Sequence, residues 1–486
     1  MSTEARPGQR APPIHPNARA SGSISSRSST GYSSDEAMDE HSVAQQLQQL
    51  VIDPLEILSV DNSSIVADPE ETAAPIHDPG NSTPSHGGAS SADATWDFLA
   101  NAAQMFERPA ELSEVTGADI GRGFDMQGYR WGGREGQRRM YMEYRRLAYP
   151  QYQGVRHDVC AVRERASTVD STGEFYGFRY AATGDAYRCK INHFQLRDLV
   201  WATSSYDVFY GHADGVQKWD PWRRRRGCVV ARSEMPEAFR LSALCAGGGV
   251  VFAGDYRGRF CVKSLWTRGA AAATGRLALG AEDIVNHATP GRSGRISVAM
   301  NSGRVNTFDV QRAAVSDSTV FDWAVNCTAE SVSGALACVV GDSTQGLLVD
   351  PRQGHRAIAE LQGHSDYVFA CALSPDERLV ATGSQDTSVR VYDVRWPRDP
   401  ASVLCGHMGA MRVVRFSACG RFMLAAEAAD YVHVYETAQF ARAQDIGFMG
   451  EVAGATFSPD GNCLFVGISD AVHEDALAEF TRISSE

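Results

Sequence analysis

Eleven cysteines could ligate zinc or pair as disulfides, but they run from Cys160 to Cys463 without one Cys-x-x-Cys pair. Cys245, Cys261 and Cys371 stand inside apolar, strand-like runs. The pattern reads as small core residues in a reducing compartment. Nucleophile, phosphate and zinc-hydrolase motifs are also missing: there is no GxxxxGKS/T, GxSxG or HExxH. The glycine-rich runs 245–249 and 254–259 fall between strand patterns, so they predict hairpin turns rather than phosphate loops. Four consecutive arginines, Arg223–Arg226, could meet phosphate or RNA. The run is short and lacks interleaved aromatics, which predicts a solvated loop, or one that grips an acidic tail. No catalytic residue, cofactor or metal is expected, and the chain reads as a non-enzyme.

The elements that carry these residues divide the chain in three. Residues 1–110 hold 15 acidic and 5 basic side chains, most of the net charge of −13. Segments such as 21–34 and 76–92 are small and polar and cannot bury enough apolar surface to offset ordering entropy. A disordered acidic tail is predicted over 1–110, interrupted by short helical patterns at 43–51 and 96–106. Ser33 and Ser34, just before Asp35 and Glu36, suit an acid-directed kinase. A helical, irregular lead-in follows over 111–172. Within it, residues 134–149 are rich in helix formers and predict a helix packed through Met140, Met142, Tyr144 and Leu147. Its Arg138, Arg139, Arg145 and Arg146 are expected on a solvated face. Residues 173–486 alternate short Val, Phe, Tyr and Leu runs with Gly, Asp, Asn and Ser, an all-β pattern. No apolar stretch is long enough for a membrane helix, and the N-terminus lacks a secretory apolar region.

One repeat is clear inside this third region. Gly363-His364 opens a strand, a Ser-Pro-Asp turn, a second strand, an Asp-containing turn and an aromatic third strand. Gly406-His407 opens a second copy 43 residues later, and a weaker third copy begins at Gly450. These residues resemble the WD40-repeat family, whose repeat length is about 40–45. The resemblance implies an all-β, seven-bladed WD40-type β-propeller, preceded by the disordered acidic tail and a short helical segment. Four degenerate blades are expected at 184–222, 236–268, 280–312 and 321–352. It also implies a structural tetrad of His364, Thr382, Asp386 and Tyr392, with Tyr where the family usually has Trp. The physical logic is that a carboxylate fixes the imidazole tautomer while its backbone makes the tight turn. The second copy departs from the pattern, with Ala425 for Thr and Asp430 displaced by one position; the third has Glu451 where His is expected. An open ring would leave exposed strand edges. Residues 174–181 are therefore expected to supply the fourth strand of the last blade. Segments 125–131, 193–210, 427–436 and 457–467 are further similar to a WD-repeat subfamily of plants and fungi, a likeness that spans about 120–486.

What the resemblance implies for function is a protein-binding scaffold. Partners of such proteins dock on the face around the central channel, which here would present Tyr367, Phe369, Gln385, Arg412 and Glu451. Tyr392-Asp393-Val394-Arg395 is similar to the Trp-Asp-x-Arg ending of substrate receptors of cullin-type ubiquitin ligases, with Arg395 as adaptor contact. An RNA-associated propeller acting through Arg223–Arg226 is a further alternative. An enzyme would instead need acids or histidines converging at the channel mouth. The partners expected are proteins or peptides, with no membrane or nucleic acid, around a monomeric propeller within a larger complex. The expected location is cytoplasm, nucleus or both.

Overall fold

A computed structural model describes residues 112–131, 135–149, 152–267, 269–277, 283–470 and 473–483. The expectations placed on 1–110, including Ser33, Ser34 and the two short helical patterns, lie outside the described residues.

The strands come from short apolar runs that are buried on both faces. Strands β8 (Val250–Asp255), β16 (Ala337–Gly341) and β24 (Phe422–Glu427) are buried at every position. Such continuous apolar runs suit a strand that lies between two packed layers. Four consecutive strands make each of five antiparallel sheets. The first holds β3 (Val200–Ser204), β4 (Asp207–His212), β5 (Gly215–Asp220) and β6 (Arg225–Ala231). The next three are β7–β10 within 241–276, β11–β14 within 285–320 and β15–β18 within 325–361. The fifth is β19 (Val368–Leu373), β20 (Leu379–Ser384), β21 (Ser388–Asp393) and β22 (Ser402–Cys405).

A sixth sheet has eight strands, in the order β1-β2-β28-β27-β26-β25-β24-β23. Strand β26 runs over Ala443–Phe457 and changes partner midway. Residues 443–451 pair with β25 (Ala429–Glu436), and 451–457 pair with β27 (Cys463–Ser469). Gly450 sits at the change with φ +135, a backbone conformation that a side chain would strain.

Strand β2 (Tyr176–Thr183) pairs antiparallel with β28 (Ala476–Arg482), so the start of the strand region closes onto its end. Tyr176 seals the junction: its ring is buried and its hydroxyl donates to the Gly461 carbonyl at 2.8 Å. The lead-in adds one more strand, β1 (Glu114–Thr116), on the far side of β2.

The expected spans of the four degenerate blades were too short at the C-terminal end. Each stops before the fourth strand begins. The missed strands are β6, β10 (Ala273–Arg276), β14 (Ala314–Val320) and β18 (Arg356–Leu361). All four are largely solvent-facing, and Arg, Glu, Asp, Ser, Thr or Gly interrupts their apolar residues, which hides them from a search for apolar runs. Arg225 and Arg226 accordingly begin β6, with Arg225 opposite Asp220 across the hairpin, and do not form a free loop.

Among the described residues the lead-in contains three helices: α1 (Gly117–Gly121), α2 (Glu135–Ala148) and α3 (Val159–Glu164). Helix α2 buries Tyr141 and Met142 against Tyr129, Trp131 and Met449. Leu147, expected in that contact, is instead 69% exposed. Arg145, expected in water, is buried.

Candidate functional site

The first strands of the sheets meet around one cavity. Residues from β3, β7 (Leu241–Gly247), β11 (Val285–Pro290), β15 (Val325–Glu330), β19, β23 (Met411–Phe416) and the second half of β26 all line it, and its volume is about 320 Å³. One face of this assembly carries the loops that precede these strands, and the positions named from the sequence sit on or beneath those loops.

The tetrad residues are assembled inside the fifth sheet. His364 Nδ1 donates to Asp386 at 3.0 Å, and the Thr382 hydroxyl lies 2.8 Å from Nε2. Asp386 also accepts from the Ser365 amide and the Ser388 hydroxyl, at 2.9 and 2.6 Å. Burial opposes its ionisation. The His364 ring and these bonds nevertheless hold its carboxyl well below the usual carboxylate range. Tyr392 is fully buried and donates to the Gln362 carbonyl at 2.8 Å. Nothing in this set faces a space where a substrate could sit. Its geometry locks a turn.

The second copy solves the same problem with other residues. Asp430 does not meet His407. It takes Arg145 of α2 in a bidentate pair, 2.7 Å at both oxygens. His407 turns to Asp445 on β26 at 2.7 Å. The second oxygen of Asp445 takes His433 Nδ1 at 2.7 Å, and Glu427 takes His433 Nε2 at 2.8 Å. Glu427 also accepts the amides of His407 and Met408, at 2.6 and 2.7 Å. Burial works against a charged His433, yet its two carboxylate bonds hold the ring's pKa up at about 9. The ligating atoms of His407, His433 and Asp445 lie within 4.8 Å of one another, and each is already bonded within the network. In the third copy Glu451 reaches Arg197 at 3.0 Å.

The five candidate partner-binding residues do not form an open patch. Phe369 and Gln385 are buried. The Arg412 guanidinium stacks over the Phe369 ring at 4.1 Å and donates to Gln385 at 2.6 Å. Burial pulls the pKa of Arg412 down to about 9, and the nearby Arg197 adds to the fall. Above them lies the chain's own lead-in. Gln385 donates to the Tyr152 carbonyl, and Asp366 accepts the amides of Gly154 and Val155 at 3.1 and 2.8 Å. A Cβ on Gly154 would lie 2.5 Å from the Tyr367 ring, so only glycine allows this approach. Upstream, Gln127 exchanges two amide bonds with Met449, at 2.6 and 2.7 Å. Asp125 shapes that segment by accepting the amides of Gln127 and Tyr129 and the Trp131 indole. Downstream, Arg163 donates to the Gly406 and His407 carbonyls. Sequence reasoning missed this cover, because its contacts join residues hundreds of positions apart.

Two aromatic side chains remain open beside it. Phe194 is 59% exposed and Tyr152 41% exposed, and their rings meet edge to face at 5.7 Å. Phe194 directly precedes Gln195, which lines the cavity. Arg395 is exposed and ion-paired with Asp393, beside a largely exposed Trp396. The arginine run is partly engaged. Arg223 pairs with Asp220 at 3.0 Å, Arg224 pairs with Glu114 of β1 at 2.6 Å, and Arg226 donates to the Ala186 carbonyl.

Deeper in the cavity, titratable groups converge from five sheets. Asp198, just before β3, accepts from a single nitrogen of Arg415, Nη2, on both oxygens at 2.6 and 2.8 Å, and from His287 Nε2 at 3.1 Å. Cys327 Sγ lies 3.7 and 3.8 Å from the two nitrogens of His287, and 3.8 Å from Cys371 Sγ. No spacing in the sequence signalled this cluster.

Four-stranded antiparallel sheets thus line one cavity, and a His–Thr–Asp–Tyr set locks a turn in the fifth of them. Residues 356–393, from β18 through β21, match the family model for the WD domain, G-beta repeat. A curated relative is WD repeat, SAM and U-box domain-containing protein 1 of Danio rerio, 35% identical over 127 residues. That match covers 26% of this chain and 25% of the relative. The chain is thus similar to WD-repeat proteins over part of its length, and residues 356–393 match a WD40 repeat.

Proposed function

We propose that the chain is a non-catalytic scaffold that binds other proteins or peptides on the face of a seven-bladed propeller. The blade number follows from dividing the eight-stranded sheet at Gly450 and adding the five four-stranded sheets. The reading includes a monomeric propeller working inside a larger complex in the cytoplasm or nucleus, and kinship with the plant and fungal subfamily. The observation that carries it is the exposed pair of Phe194 and Tyr152, whose rings meet edge to face one residue upstream of the cavity-lining Gln195. Large, rigid aromatics exposed together are costly in water and are the side chains that anchor interfaces. Of the positions taken from family habit, Phe369, Gln385 and Arg412 support the face from beneath, Tyr367 is half-buried and Glu451 is exposed, and the lead-in forms part of the docking surface.

Proximity labelling of the native protein, compared with a Phe194→Ala/Tyr152→Ala variant, tests this. A set of neighbours lost by the variant at unchanged thermal midpoint supports the reading, and also reports the compartment. The same neighbours at the same yield overturn it.

A second reading is favoured by Arg395 and Trp396, which stand exposed together at a sheet edge. In that reading the chain is a substrate receptor of a cullin-type ligase, and an Arg395→Ala variant loses the adaptor in a pull-down. The RNA alternative through Arg223–Arg226 has weaker support, since three of the four arginines already have partners. RNA binding that does not weaken with salt would remove it.

A further inference from the structure

We propose that Cys327 is a reactive thiol of the central cavity, oxidised by small hydroperoxides and then joined to Cys371 as a disulfide between neighbouring sheets. The inference is independent of where partners dock.

The geometry supplies each requirement of such a site. A nucleophilic cysteine needs a cationic neighbour to hold its thiolate, and that neighbour needs an anchor. His287 on β11 is the neighbour. Asp198 anchors the ring through Nε2 at 3.1 Å, and Arg415 in turn fixes Asp198 and stacks over Trp201 at 3.7 Å. Two cations, one carboxylate and one thiolate leave the cluster without excess negative charge, so burial does not force the sulfur to stay protonated. Burial works against a charged imidazole, but the Cys327 sulfur and Asp198 hold the His287 pKa up to about 10. The Cys371 thiol donates toward Cys327, and His287 adds to the effect, so the Cys327 pKa falls well below the ordinary thiol range. The contrast with the other buried cysteines is sharp. Burial pushes Cys261 and Cys463 up to about 11. Both cysteines of the pair line the cavity, which has room for a small peroxide.

The chemistry balances. Cys327 passes its proton to His287, and its sulfur attacks one peroxide oxygen. The S–O bond forms as the O–O bond breaks, and the departing oxygen takes the proton from His287 and leaves as alcohol or water. The sulfur loses an electron pair and the peroxide gains it. Cys371 then attacks the sulfenic acid, releasing water as the S–S bond forms. The sulfurs start 3.8 Å apart and must close to about 2.05 Å. Cys327 lies on β15 and Cys371 on β19, so the bond would tie the fourth sheet to the fifth.

The test uses the full-length protein and hydrogen peroxide, with differential alkylation read by mass spectrometry. Exposed Cys160 and Cys228 serve as internal references. The Cys327–Cys371 disulfide is expected before either reference is oxidised, and a dithiol reductant should reverse it. Cys371→Ser should leave a sulfenic acid at Cys327 that a dimedone probe captures. His287→Gln should slow the step by about tenfold. The proposal is overturned if Cys160 or Cys228 oxidises first in the unmodified sequence, a result that needs no variant to fold. It is equally overturned if the rate in a folded His287→Gln protein is unchanged.

Discussion

Asp386 shows how much a single buried carboxylate can hold. It receives a ring nitrogen, a hydroxyl and a backbone amide, and its side chain is wholly shielded from water. Removing it strands His364 and the Ser365 amide without their partner. We expect Asp386→Ala to lower the unfolding free energy by about 3 kcal/mol, measured by urea denaturation. His433 makes a prediction of the opposite pH sense to an ordinary carboxylate. Its folded pKa is about 9, above the ordinary value of 6.5. A raised pKa stabilises fully below the unfolded value and is lost as the pH climbs through the folded one. The thermal midpoint should therefore fall between pH 6.5 and 9. The fall should be smaller in His433→Gln, where His287 still titrates in a similar direction. The chemistry of His364 was legible in the sequence because its partners follow within one repeat. The partners of His433 were not, since Asp445 lies on the next strand in a copy that had lost the pattern.

Among the elements, β2 and β26 decide the architecture. Strand β2 lies far upstream of the strand it pairs with and buries Tyr176, Tyr180, Ala181 and Ala182. Truncating Tyr176 to Ala removes a buried aromatic from the junction and should cost about 3 kcal/mol or more. Amide exchange should then rise first in β28, because its outer partner is the one loosened. Exchange that rises evenly over all sheets would show that closure is not the weak point. Inner strands could be found by their apolar runs, whereas outer strands such as β14, with its Asp and Ser residues facing water, could not. An edge strand is held by backbone pairing, which leaves little trace in side-chain type.

For the whole molecule, the lead-in is the feature that changes the functional picture. It crosses the face over the last three repeats, pinned by Gln127, Arg145, Gly154 and Arg163. Gly154 is the tightest point of that path. We expect Gly154→Val to lift the segment from Tyr367, seen as faster proteolysis between residues 149 and 160 while the strand core resists. The contrasting variant Arg145→Ala should destabilise the fold as a whole, by about 3 kcal/mol, because it leaves Asp430 buried and unpaired. A face that looked open from family habit is thus partly filled by the protein itself. Phe194 and Tyr152 stay exposed beside it.

By itself, the sequence determined the strand-rich class, the repeat from His364 to Tyr392 and the closing role of the segment near Tyr176. These follow from local periodicity and from the cost of an open sheet edge, and both are written in neighbouring residues. The tertiary structure alone decided the partner of Asp430, the burial of Arg145 and the meeting of Asp198, His287, Cys327, Cys371 and Arg415. Those five residues come from five sheets, and no spacing along the chain records which strands a ring of sheets will bring to its centre.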